Sequence, residues 1–397
     1  MAKSAPKLEG VDLFGFEAML TDDERAVKTQ MRAFVEKEIL PTIGKHFAAG
    51  TFPKHLIPHL GELGCLGSNL TGYGCPGMSS VAYGLAMHEL ERGDAGIRSF
   101  CSVQGSLAMY PIWQFGSEAQ KNKFLPKMAK GELVGCFGLS EPDFGSDPSG
   151  MRTRAVKDGN HYVLNGTKLW ITNGTLADLA VVWAKVDQGG PESIRGFIVE
   201  KGMPGFTARE VEGKMSLRAS ATAELSFQDV RVPAENLLPG SDGLKSPLMC
   251  LNQARYGIAW GALGSATACF EAARDYSLAR LQFNKPIASF QLTQLKLVDM
   301  LQEIVKGQLV ALQLGRAKDA GNVTHLMISL AKRNNVRMAL EIAREARSIH
   351  GANGITVEYA PIRHALNLES VYTYEGTHEV HTLILGKAIT GIDAFGA

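Results

Sequence analysis

The apolar residues of the first third of the chain recur every three or four positions, which is the spacing of helices with one buried face. Thr21 and Glu24 form the capping-box pattern that begins a helix, and we expect Pro41 to end that helix. Residues 79–91 and the segment after Ser117 predict further helices. Because no alternating pattern interrupts them, we expect an N-terminal helical domain over residues 1–133.

The pattern changes between residues 134 and 237, where short apolar runs alternate with turn residues. Asp158-Gly159 and Asn165-Gly166 are dipeptides typical of hairpin turns. Runs rich in β-forming residues predict strands at 162–164, 169–171, 180–186, 196–200 and 225–232. We therefore expect a middle β-domain, a sandwich or barrel, over residues 134–237.

From residue 238 the helical spacing returns and continues towards the C-terminus. Six apolar residues fall within about 120° of arc and predict a helix face buried in a bundle. They are Leu295, Val298, Leu301, Val305, Leu309 and Leu312. The helix-like segments 251–280, 291–313, 324–349 and 377–391 predict a four-helix bundle over residues 238–397. The expected fold class is α+β and mainly helical.

The composition is ordinary for a globular protein and excludes several classes of function. Of the 397 residues, 45% are hydrophobic and 20% are charged, and the formal net charge is +1. Because neither sign of charge is in excess, we expect no nucleic-acid partner and no attraction to anionic membranes. The six cysteines form no C-x-x-C pair, which argues against a metal site or a disulfide framework and indicates a reducing compartment.

The sequence also bears on localisation. No stretch approaches the roughly 20 apolar residues of a membrane-spanning helix, so we expect no membrane insertion. Residues 1–10 have no apolar core, unlike a secretory signal, and no arginine, unlike a mitochondrial presequence. We therefore expect the cytoplasm of a bacterium, or the mitochondrial matrix for a processed eukaryotic form.

Near the C-terminus, one carboxylate lies between an aromatic residue and a glycine, in the order Tyr374, Glu375, Gly376. A loop carboxylate beside an aromatic side chain can be a general base whose pKa is raised by loss of solvent. The alternative is a helix start, in which a threonine or Glu375 binds free backbone N–H groups. Both interpretations stay open from these residues alone.

Two segments of the middle region carry candidate binding chemistry. The loop 136–147 is rich in glycine, serine and acids, so its backbone N–H groups could hold a cofactor or a phosphate. The alternative is a polar turn. Trp170 could stack beside a flat heterocycle that Thr172 bonds, or it could simply fill the core of a strand.

Three arginines in the helical regions are also candidates. Arg280 could bind a phosphate or could end a helix as a C-terminal charge. Arg98 could receive a substrate carboxylate, since a guanidinium can bond two oxygens at once, or it could form a surface ion pair with Glu91 or Asp94. Arg255 belongs to a polar face that opens a helix.

Each of these signals is weak alone, but their order resembles the acyl-CoA dehydrogenase family along nearly the whole chain. The matching motifs are Leu139-Ser140-Glu141-Pro142 with Gly145-Ser146-Asp147, Trp170-Ile171-Thr172, Arg280 with Gln282-Phe283, Gly351 with Asn353-Gly354, and Tyr374-Glu375-Gly376-Thr377. Within the family, the chain is most similar to the glutaryl-CoA dehydrogenases. The resemblance implies a helical domain, a β-domain and a four-helix bundle, assembled as a homotetramer.

The resemblance implies FAD bound between the β-domain and the bundle, with its adenine end reaching a neighbouring subunit. The residues that match flavin contacts are Phe137, Leu139, Ser140, Gly145, Ser146, Trp170, Ile171, Thr172 and Thr377. Those that match contacts made from the neighbouring subunit are Arg280, Phe283, Gln291, Gly351 and Gly354.

The resemblance also implies the catalytic roles. Glu375 matches the base that removes the α-proton, and its backbone N–H matches a donor to the thioester oxygen of the enolate. Tyr374 matches a tyrosine of the members that decarboxylate their substrate. Arg98 and Ser99 match the pair that receives a distal carboxylate. The other residues that match acyl-CoA contacts are Glu91, Ser146, Leu248, Asn252, Arg255 and Gly376.

The implied reaction is oxidative decarboxylation of glutaryl-CoA to crotonyl-CoA and carbon dioxide, with the β-hydride passing to flavin N5 and electrons leaving to electron transfer flavoprotein. Two alternatives stay open. One is a dehydrogenase or oxidase for another short-chain or dicarboxylic acyl-CoA, without decarboxylation; the other is a catalytically silent scaffold. Asn284 and residues 350–352 depart from the family pattern in the region expected to bind the adenine end of FAD. Ile97 and Phe100, which flank Arg98 and Ser99, also differ from the commonest residues of the family.

Overall fold

The computed structural model describes residues 8, 10–187 and 189–395. Helices make up most of the first region, with a short hairpin between the third and the fourth. The helices are α1 (Asp22–Phe34), α2 (Leu40–Ala49), α3 (Leu56–Glu62), α4 (Ser80–Gly93), α5 (Ala95–Ser102), α6 (Tyr110–Phe115) and α7 (Glu118–Ala129). The hairpin pairs β1 (Thr71–Gly72) with β2 (Cys75–Pro76).

The capping box at the start of α1 is confirmed, because Thr21 N donates to the Glu24 carboxylate at 2.9 Å and Glu24 N donates back to Thr21 Oγ1 at 3.3 Å. The prediction that Pro41 ends this helix is wrong. The chain continues through a π-helical turn, Val35–Ile39, directly into α2, where Pro41 lies in the first turn. A proline is tolerated there because its missing N–H would have had no helical partner.

A seven-stranded sheet fills the middle region. Its strands are β3 (Gly135–Gly138), β4 (Arg154–Asp158), β5 (His161–Thr172), β6 (Leu179–Val186), β7 (Ile194–Glu200), β8 (Phe206–Glu210) and β9 (Thr222–Pro233). The strand order is β3-β6-β4-β5-β9-β8, with β7 also paired to β6. β6 pairs with three strands: it is parallel to β3 and then to β4 along one edge, and antiparallel to β7 along the other.

Of the two predicted hairpin turns, one is confirmed. Asp158-Gly159 joins β4 to β5, with Asp158 opposite His161. Asn165-Gly166 is not a turn, because both residues lie inside β5, where the register with β9 shifts after Leu164. Gly166 has a φ of 150°, and a Cβ there would lie 2.4 Å from the Thr153 hydroxyl oxygen. The glycine therefore marks a bulge at a close approach between chain segments.

The described part of the C-terminal region contains five α-helices, one more than predicted. They are α8 (Lys245–Ala279), α9 (Gln291–Asp319), α10 (His325–Ile349), α11 (Ala360–Thr373) and α12 (His378–Thr390), and β10 (Leu281–Gln282) pairs with β11 (Lys285–Pro286) after α8. The sequence did not predict α11, because its buried face carries the polar residues Arg363, His364 and Asn367 and so shows no apolar stripe.

The apolar stripe predicted for α9 is only partly buried. Val305 and Leu312 lie in the core, but Leu295 and Val298 are 55% and 59% exposed. The buried residues of α9 begin at Met300. The first half of this helix is therefore an apolar surface in the single chain, and the predicted core face is wrong there.

The helices before and after the sheet share one hydrophobic core, in which α4 packs against α8. Small residues of α8 allow a close approach. At Gly264 a Cβ would lie 1.9 Å from the carbonyl oxygen of His88, and at Gly261 it would lie 2.3 Å from the Glu91 carboxylate. Glycine at these two positions lets α4 and its polar side chains lie against α8 without a gap.

Two further findings concern membranes and ligating side chains. No helix in the described ranges has the length and hydropathy needed to cross a bilayer. The six cysteines are free thiols, and no group of three His, Cys, Asp or Glu side chains within residues 10–187 and 189–395 is placed to hold a metal ion.

Candidate active site

Glu375 lies in the short connection between α11 and α12. Tyr374 follows the last turn of α11, and Thr377 caps α12 by accepting a hydrogen bond from Val380 N at 3.2 Å. Glu375 has a φ of 54°, in the left-handed region that costs an L-residue about 1–2 kcal/mol. The helix-cap interpretation therefore holds for Thr377, whereas Glu375 is held in a strained conformation outside both helices.

Two buried cations hold the backbone of this connection. The ammonium of Lys332, on α10, donates to Tyr374 O at 2.5 Å and to Gly376 O at 2.6 Å. Arg255 Nε, on α8, donates to Glu375 O at 2.6 Å. All three carbonyls are thus bound to charged donors, so the conformation of Glu375 is fixed from two separate helices.

The carboxylate of Glu375 has a buried oxygen, Oε2, with no hydrogen-bond partner among the described residues. Burial raises the pKa of Glu375, although the positive charges of Arg98, Lys332 and Arg255 act in the opposite direction. A raised pKa and a free oxygen suit a carboxylate that accepts a proton from a bound molecule near neutral pH. These properties make Glu375 the candidate general base.

Arg98, on α5, is fully buried beside this carboxylate and does not form the predicted alternative, a surface ion pair. Its Nε donates to the Glu91 carboxylate at 2.5 Å, and its Nη2 donates to the hydroxyl of Tyr374. Burial alone would lower the pKa of Arg98, but Glu91 and Tyr374 raise it above the ordinary value. Nη1 has no partner in the part of the chain that the structure describes. The guanidinium is thus charged and has a donor left for a ligand.

Glu91 is itself held from the opposite side. Ser265 Oγ, on α8, donates to Glu91 at 3.3 Å, and Gly261 leaves room for the Glu91–Arg98 pair. Ser99, next to Arg98 on α5, is buried. The structure therefore brings four predicted residues together at one place, Glu91, Arg98, Tyr374 and Glu375, and Ser99 is buried next to Arg98 in the sequence.

The other predicted acyl-CoA contacts lead from this place along α8. Leu248, Asn252 and Arg255 follow at spacings of four and three residues, which places them on one face of the helix. Asn252 Oδ1 accepts a hydrogen bond from Arg255 at 3.4 Å. At Gly376 a Cβ would lie 3.0 Å from both Arg255 and a histidine of α12, so glycine keeps this approach open.

The predicted flavin loop after β3 is tied to β5 by a buried ion pair. Lys168 Nζ donates to Leu139 O at 3.0 Å and to the Glu141 carboxylate at 2.8 Å. Glu141 also accepts from the backbone N–H groups of Arg152 at 2.6 Å and Thr153 at 2.9 Å. Burial lowers the pKa of Lys168 to about 8. The loop is therefore fixed at its base.

The remaining predicted residues of this loop differ in exposure. Phe137 and Leu139 are buried, whereas Gly145 and Ser146 lie at the exposed tip. Ser140 O accepts a hydrogen bond from Leu169 N at 2.9 Å, which joins the loop to β5 directly before Trp170. The start of the loop is consequently attached to the strand residue next to Trp170.

Trp170 lies in a bulge of β5, where the register with β9 shifts between Lys168 and Ile171. It has a φ of 64°, and its side chain is 61% exposed, whereas Ile171 is buried and Thr172 is half-buried at the end of the strand. The core alternative for Trp170 is therefore wrong. An exposed indole on a strained backbone, next to a hydroxyl and an exposed glycine-serine loop, fits the flat ring of a flavin.

The residues predicted to contact FAD from a neighbouring subunit form a separate group. Arg280 and Gln291 are exposed at the end of α8 and the start of α9, Phe283 is 86% exposed, Gly351 is exposed and Gly354 is buried. The structure does not bring this group to Glu375 within one chain. Asn284 has a left-handed φ of 58°, which asparagine tolerates better than most residues, so this departure suits its backbone.

Comparison with known proteins identifies the family. Its domain models match the chain at residues 21–132 (acyl-CoA dehydrogenase, N-terminal domain), 136–230 (middle domain) and 241–390 (C-terminal domain). The chain belongs to the acyl-CoA dehydrogenase family. The expected fold is confirmed, and the removal of hydrogen from an acyl-CoA is the activity that goes with this membership.

Three similar proteins bear on the finer assignment. The short-chain-specific acyl-CoA dehydrogenase of Megasphaera elsdenii is 40% identical over 93% of this chain and 98% of its own. A crystal structure of glutaryl-CoA dehydrogenase from Mycobacterium smegmatis is 56% identical, covering 98% of this chain and 100% of its own, with a TM-score of 0.95. A second structure from that organism, a glutaryl-CoA dehydrogenase in complex with FADH2, is 54% identical over 97% and 99%, also with a TM-score of 0.95.

Sequence reasoning missed three residues of the site. Lys332 lies on the buried face of α10, four residues from both Ile328 and Val336, so a charge on an apolar face was the available signal. Lys168 carried no such signal, because a polar residue is expected at alternate positions of a strand. His381 is buried with neither ring nitrogen bonded within the described ranges, and burial lowers its pKa to about 2.

Proposed function

We propose that this member of the family is an FAD-dependent glutaryl-CoA dehydrogenase that decarboxylates its product to crotonyl-CoA. The observation that carries the proposal is the buried guanidinium of Arg98, which keeps one N–H group free beside the candidate base. An enzyme for simple fatty acyl chains has no use for such a donor, because a buried and incompletely paired guanidinium is unfavourable. A dicarboxylic acyl chain satisfies it.

The balance of charge supports the same substrate. Three buried cations surround two carboxylates here, namely Arg98, Arg255 and Lys332 around Glu91 and Glu375. One positive charge is left over when all five groups are ionised, which includes Lys332, whose pKa burial lowers to about 7. The distal carboxylate of a glutaryl group balances it, whereas a butyryl group leaves it unbalanced in a largely desolvated site.

Glu375 removes the α-proton, and its backbone N–H donates to the thioester oxygen, on which negative charge develops. The hydroxyl of Tyr374, bonded to Arg98, lies where the distal carboxylate leaves as carbon dioxide. Glu91 holds the guanidinium of Arg98, and Ser99 binds the distal carboxylate together with Arg98. Leu248, Asn252, Arg255, Gly376 and Ser146 line the path of the CoA thioester.

FAD is held by the β-domain loop 137–146, by Trp170, Ile171 and Thr172, and by Thr377 at the start of α12. When bound, FAD accepts the hydride that leaves the β-carbon. Trp170 supplies a stacking surface, and Thr172 and the loop N–H groups supply donors. Arg280, Phe283, Gln291, Gly351 and Gly354 hold the adenine end of a neighbouring subunit's FAD. Electron transfer flavoprotein would be the partner that accepts the electrons.

We also propose a homotetramer, as the resemblance to the family implies. The separation of these five residues from Glu375 in one chain supports a contact made by a neighbouring copy. The exposed apolar side chains Leu281, Leu292, Leu295 and Val298 around them support an interface between copies. We also propose domain boundaries at 133/134 and 237/238. The reduced state of the cysteines supports the cytoplasm, or the mitochondrial matrix in a processed form.

A second candidate is a dehydrogenase for a short monocarboxylic acyl-CoA. It is favoured by the pairing of Arg98 with Glu91, which already neutralises most of the guanidinium charge, and by the 40% identity to a short-chain-specific enzyme. In that case Arg98 is a structural residue, and Tyr374 has no part in carbon dioxide release.

Anaerobic turnover separates the two candidates. The FAD-loaded protein is mixed with glutaryl-CoA, and the thioester product is identified by mass spectrometry. Crotonyl-CoA with carbon dioxide is the expected outcome. Glutaconyl-CoA as the end product would contradict decarboxylation. Flavin bleaching by butyryl-CoA but not by glutaryl-CoA would establish the second candidate instead.

A further inference from the structure

Burial lowers the pKa of Lys332 to about 7, although the Glu375 carboxylate favours its charged form. Within the described residues of its own helix, this lysine forms no ion pair. It lies on α10 with a side chain about 2% exposed, among apolar residues such as Ile328 and Val336. Burying a lysine is unfavourable by several kcal/mol unless strong partners receive it. Methionine would fill the same space without that penalty, so the charge calls for a role.

The partners of Lys332 are backbone carbonyls on both sides of the candidate base. Its Nζ donates to Tyr374 O at 2.5 Å and to Gly376 O at 2.6 Å. Tyr374 O belongs to the same peptide group as the N–H of Glu375. That N–H forms no hydrogen bond to another described residue, so it is available to a ligand.

A cation bound to the oxygen of a peptide group withdraws electron density from its N–H. In a chain of hydrogen bonds each member strengthens the next, and the low dielectric of a buried site enlarges the effect. The N–H of Glu375 therefore becomes a stronger donor while Lys332 is bonded behind it. The second bond, to Gly376 O, prevents the peptide from rotating out of line.

We propose that Lys332 is a positioning residue that polarises the Tyr374–Glu375 peptide and holds its N–H towards the thioester oxygen of the substrate. The proposal rests on the proposed function, in which that N–H stabilises the enolate. Lys332 touches neither the substrate nor the flavin in this scheme, and it acts only through the peptide.

Lys332 also affects the base itself. The charged and titratable groups facing it are Glu375 and Tyr374 from the connection, Arg98 from α5, Arg255 from α8, and His378 and His381 from α12. Among these, Glu375 is the nearest source of negative charge, and Lys332 lowers its pKa against the effect of burial. Removing the ammonium must therefore raise the pKa of Glu375 and leave less of it ionised at a given pH.

Three substitutions at position 332 separate charge from packing. Lys332→Met removes the charge at similar volume, Lys332→Gln keeps a neutral donor, and Lys332→Arg keeps the charge. Lys318→Met is the matched control, because Lys318 is a partly buried lysine of α9 that lies over the ring of Tyr256 and not at the connection. FAD content and circular dichroism show whether each variant is folded.

The decisive measurement needs no turnover. The carbonyl stretch of crotonyl-CoA, labelled with ¹³C at the thioester carbon, is recorded by infrared difference spectroscopy on each FAD-loaded protein. We expect the strongest shift to low frequency in the wild type and Lys318→Met, an intermediate shift in Lys332→Arg and Lys332→Gln, and the smallest in Lys332→Met. The same carbonyl frequency in all folded variants would overturn the proposal.

Kinetics give a second, independent readout. Loss of an oxyanion donor costs about 10²–10³ in rate, so weakening one should slow flavin bleaching by about 10- to 100-fold in Lys332→Met. The acid limb of its pH–rate profile should move to higher pH. An unshifted profile with a wild-type rate would contradict the proposal. Absence of bleaching in the wild type with any acyl-CoA would instead contradict the proposed function, while the carbonyl frequency would still test Lys332.

Discussion

The two sides of the proposed flavin site each carry a strained residue that is not glycine, and they hold it by different means. Glu375 (φ 54°) is held by buried cations from α8 and α10, whereas Trp170 (φ 64°) lies in a bulge that is held by the ladder pairs of β5 and β9 on either side of it, at Lys168 and Ile171. Charged donors fix the geometry of Glu375 and its pKa together. The sheet fixes only the geometry of Trp170.

This difference predicts how each side responds to substitution. A change among the holders of Glu375 alters both the direction of its groups and the ionisation of its carboxylate. A change of the Trp170 side chain leaves the ladder intact, because the indole is mostly exposed and packs little. Substitutions around Glu375, the cation-held side, should therefore lower the rate of catalysis. Substitutions of Trp170, the sheet-held side, should lower the affinity for the cofactor.

The largest effect is expected for Glu375→Gln. Without the base, flavin bleaching by acyl-CoA should fall by about 10²–10⁴-fold, the usual contribution of a general base. FAD content should not change, since the holders of the backbone are intact. Stopped-flow absorbance measures the rate. Glu369→Gln, at an exposed acid of α11 paired with Arg344, is the control and should bleach normally. Wild-type bleaching by Glu375→Gln would remove it as the base.

The next effect concerns selectivity. Arg98→Ala should lower kcat/KM for glutaryl-CoA about 10²-fold more than for butyryl-CoA, because a close, desolvated charge pair is worth about 2–5 kcal/mol. The substitution also leaves Glu91 buried and unpaired, so Arg98→Ala with Glu91→Gln is measured beside it to separate selectivity from instability. Equal losses for both substrates in both variants would mean that Arg98 does not bind a distal carboxylate.

The resemblance to the family predicted the grouping of Glu91, Arg98, Tyr374 and Glu375. Periodicity predicted the order of the three regions and most helices, because it carries such information wherever a face is apolar. It failed at α11, whose buried face is polar, and at Leu295 and Val298, which are apolar but exposed. Local sequence patterns did not predict that Lys332 binds the carbonyl oxygens of residues 374 and 376, since those contacts join segments more than 40 residues apart.

A smaller effect is expected on the sheet-held side. Trp170→Ala should weaken FAD binding about tenfold, because aromatic stacking contributes about 0.5–1.5 kcal/mol beyond burial. The free energy of unfolding of the apo-protein should change by no more than about ±0.5 kcal/mol, the range of a surface substitution. Equilibrium dialysis of FAD and thermal melts measure both, with Trp170→Phe as the control. A large loss of apo-protein stability would mean that the indole supports the sheet.

The smallest effect is expected from the ion pair at the base of the flavin loop. Burial raises the pKa of the Glu141 carboxyl, but Lys168 and the N–H groups of Arg152 and Thr153 more than offset this and lower it below 4.5. A depressed folded pKa contributes stability above about pH 4.5 that is lost as the pH falls through the folded value. The lowered pKa of Lys168, about 8, adds no pH dependence in this acid range, because Lys168 is protonated there in both the folded and the unfolded state.

Removing both charges tests this argument without leaving one of them unpaired. Glu141→Gln with Lys168→Met should change stability at pH 7 by only about 1–2 kcal/mol, since a buried pair replaced by neutral groups of similar volume is often nearly neutral. Between pH 5 and pH 3 its melting temperature should fall less steeply than that of the wild type. Parallel curves would show that Glu141 does not gain its proton in that range. The flavin loop would then resemble Trp170, whose position depends on the backbone of the sheet and not on the ionisation of a side chain. Only the side of Glu375 would then couple the geometry of the site to a pKa.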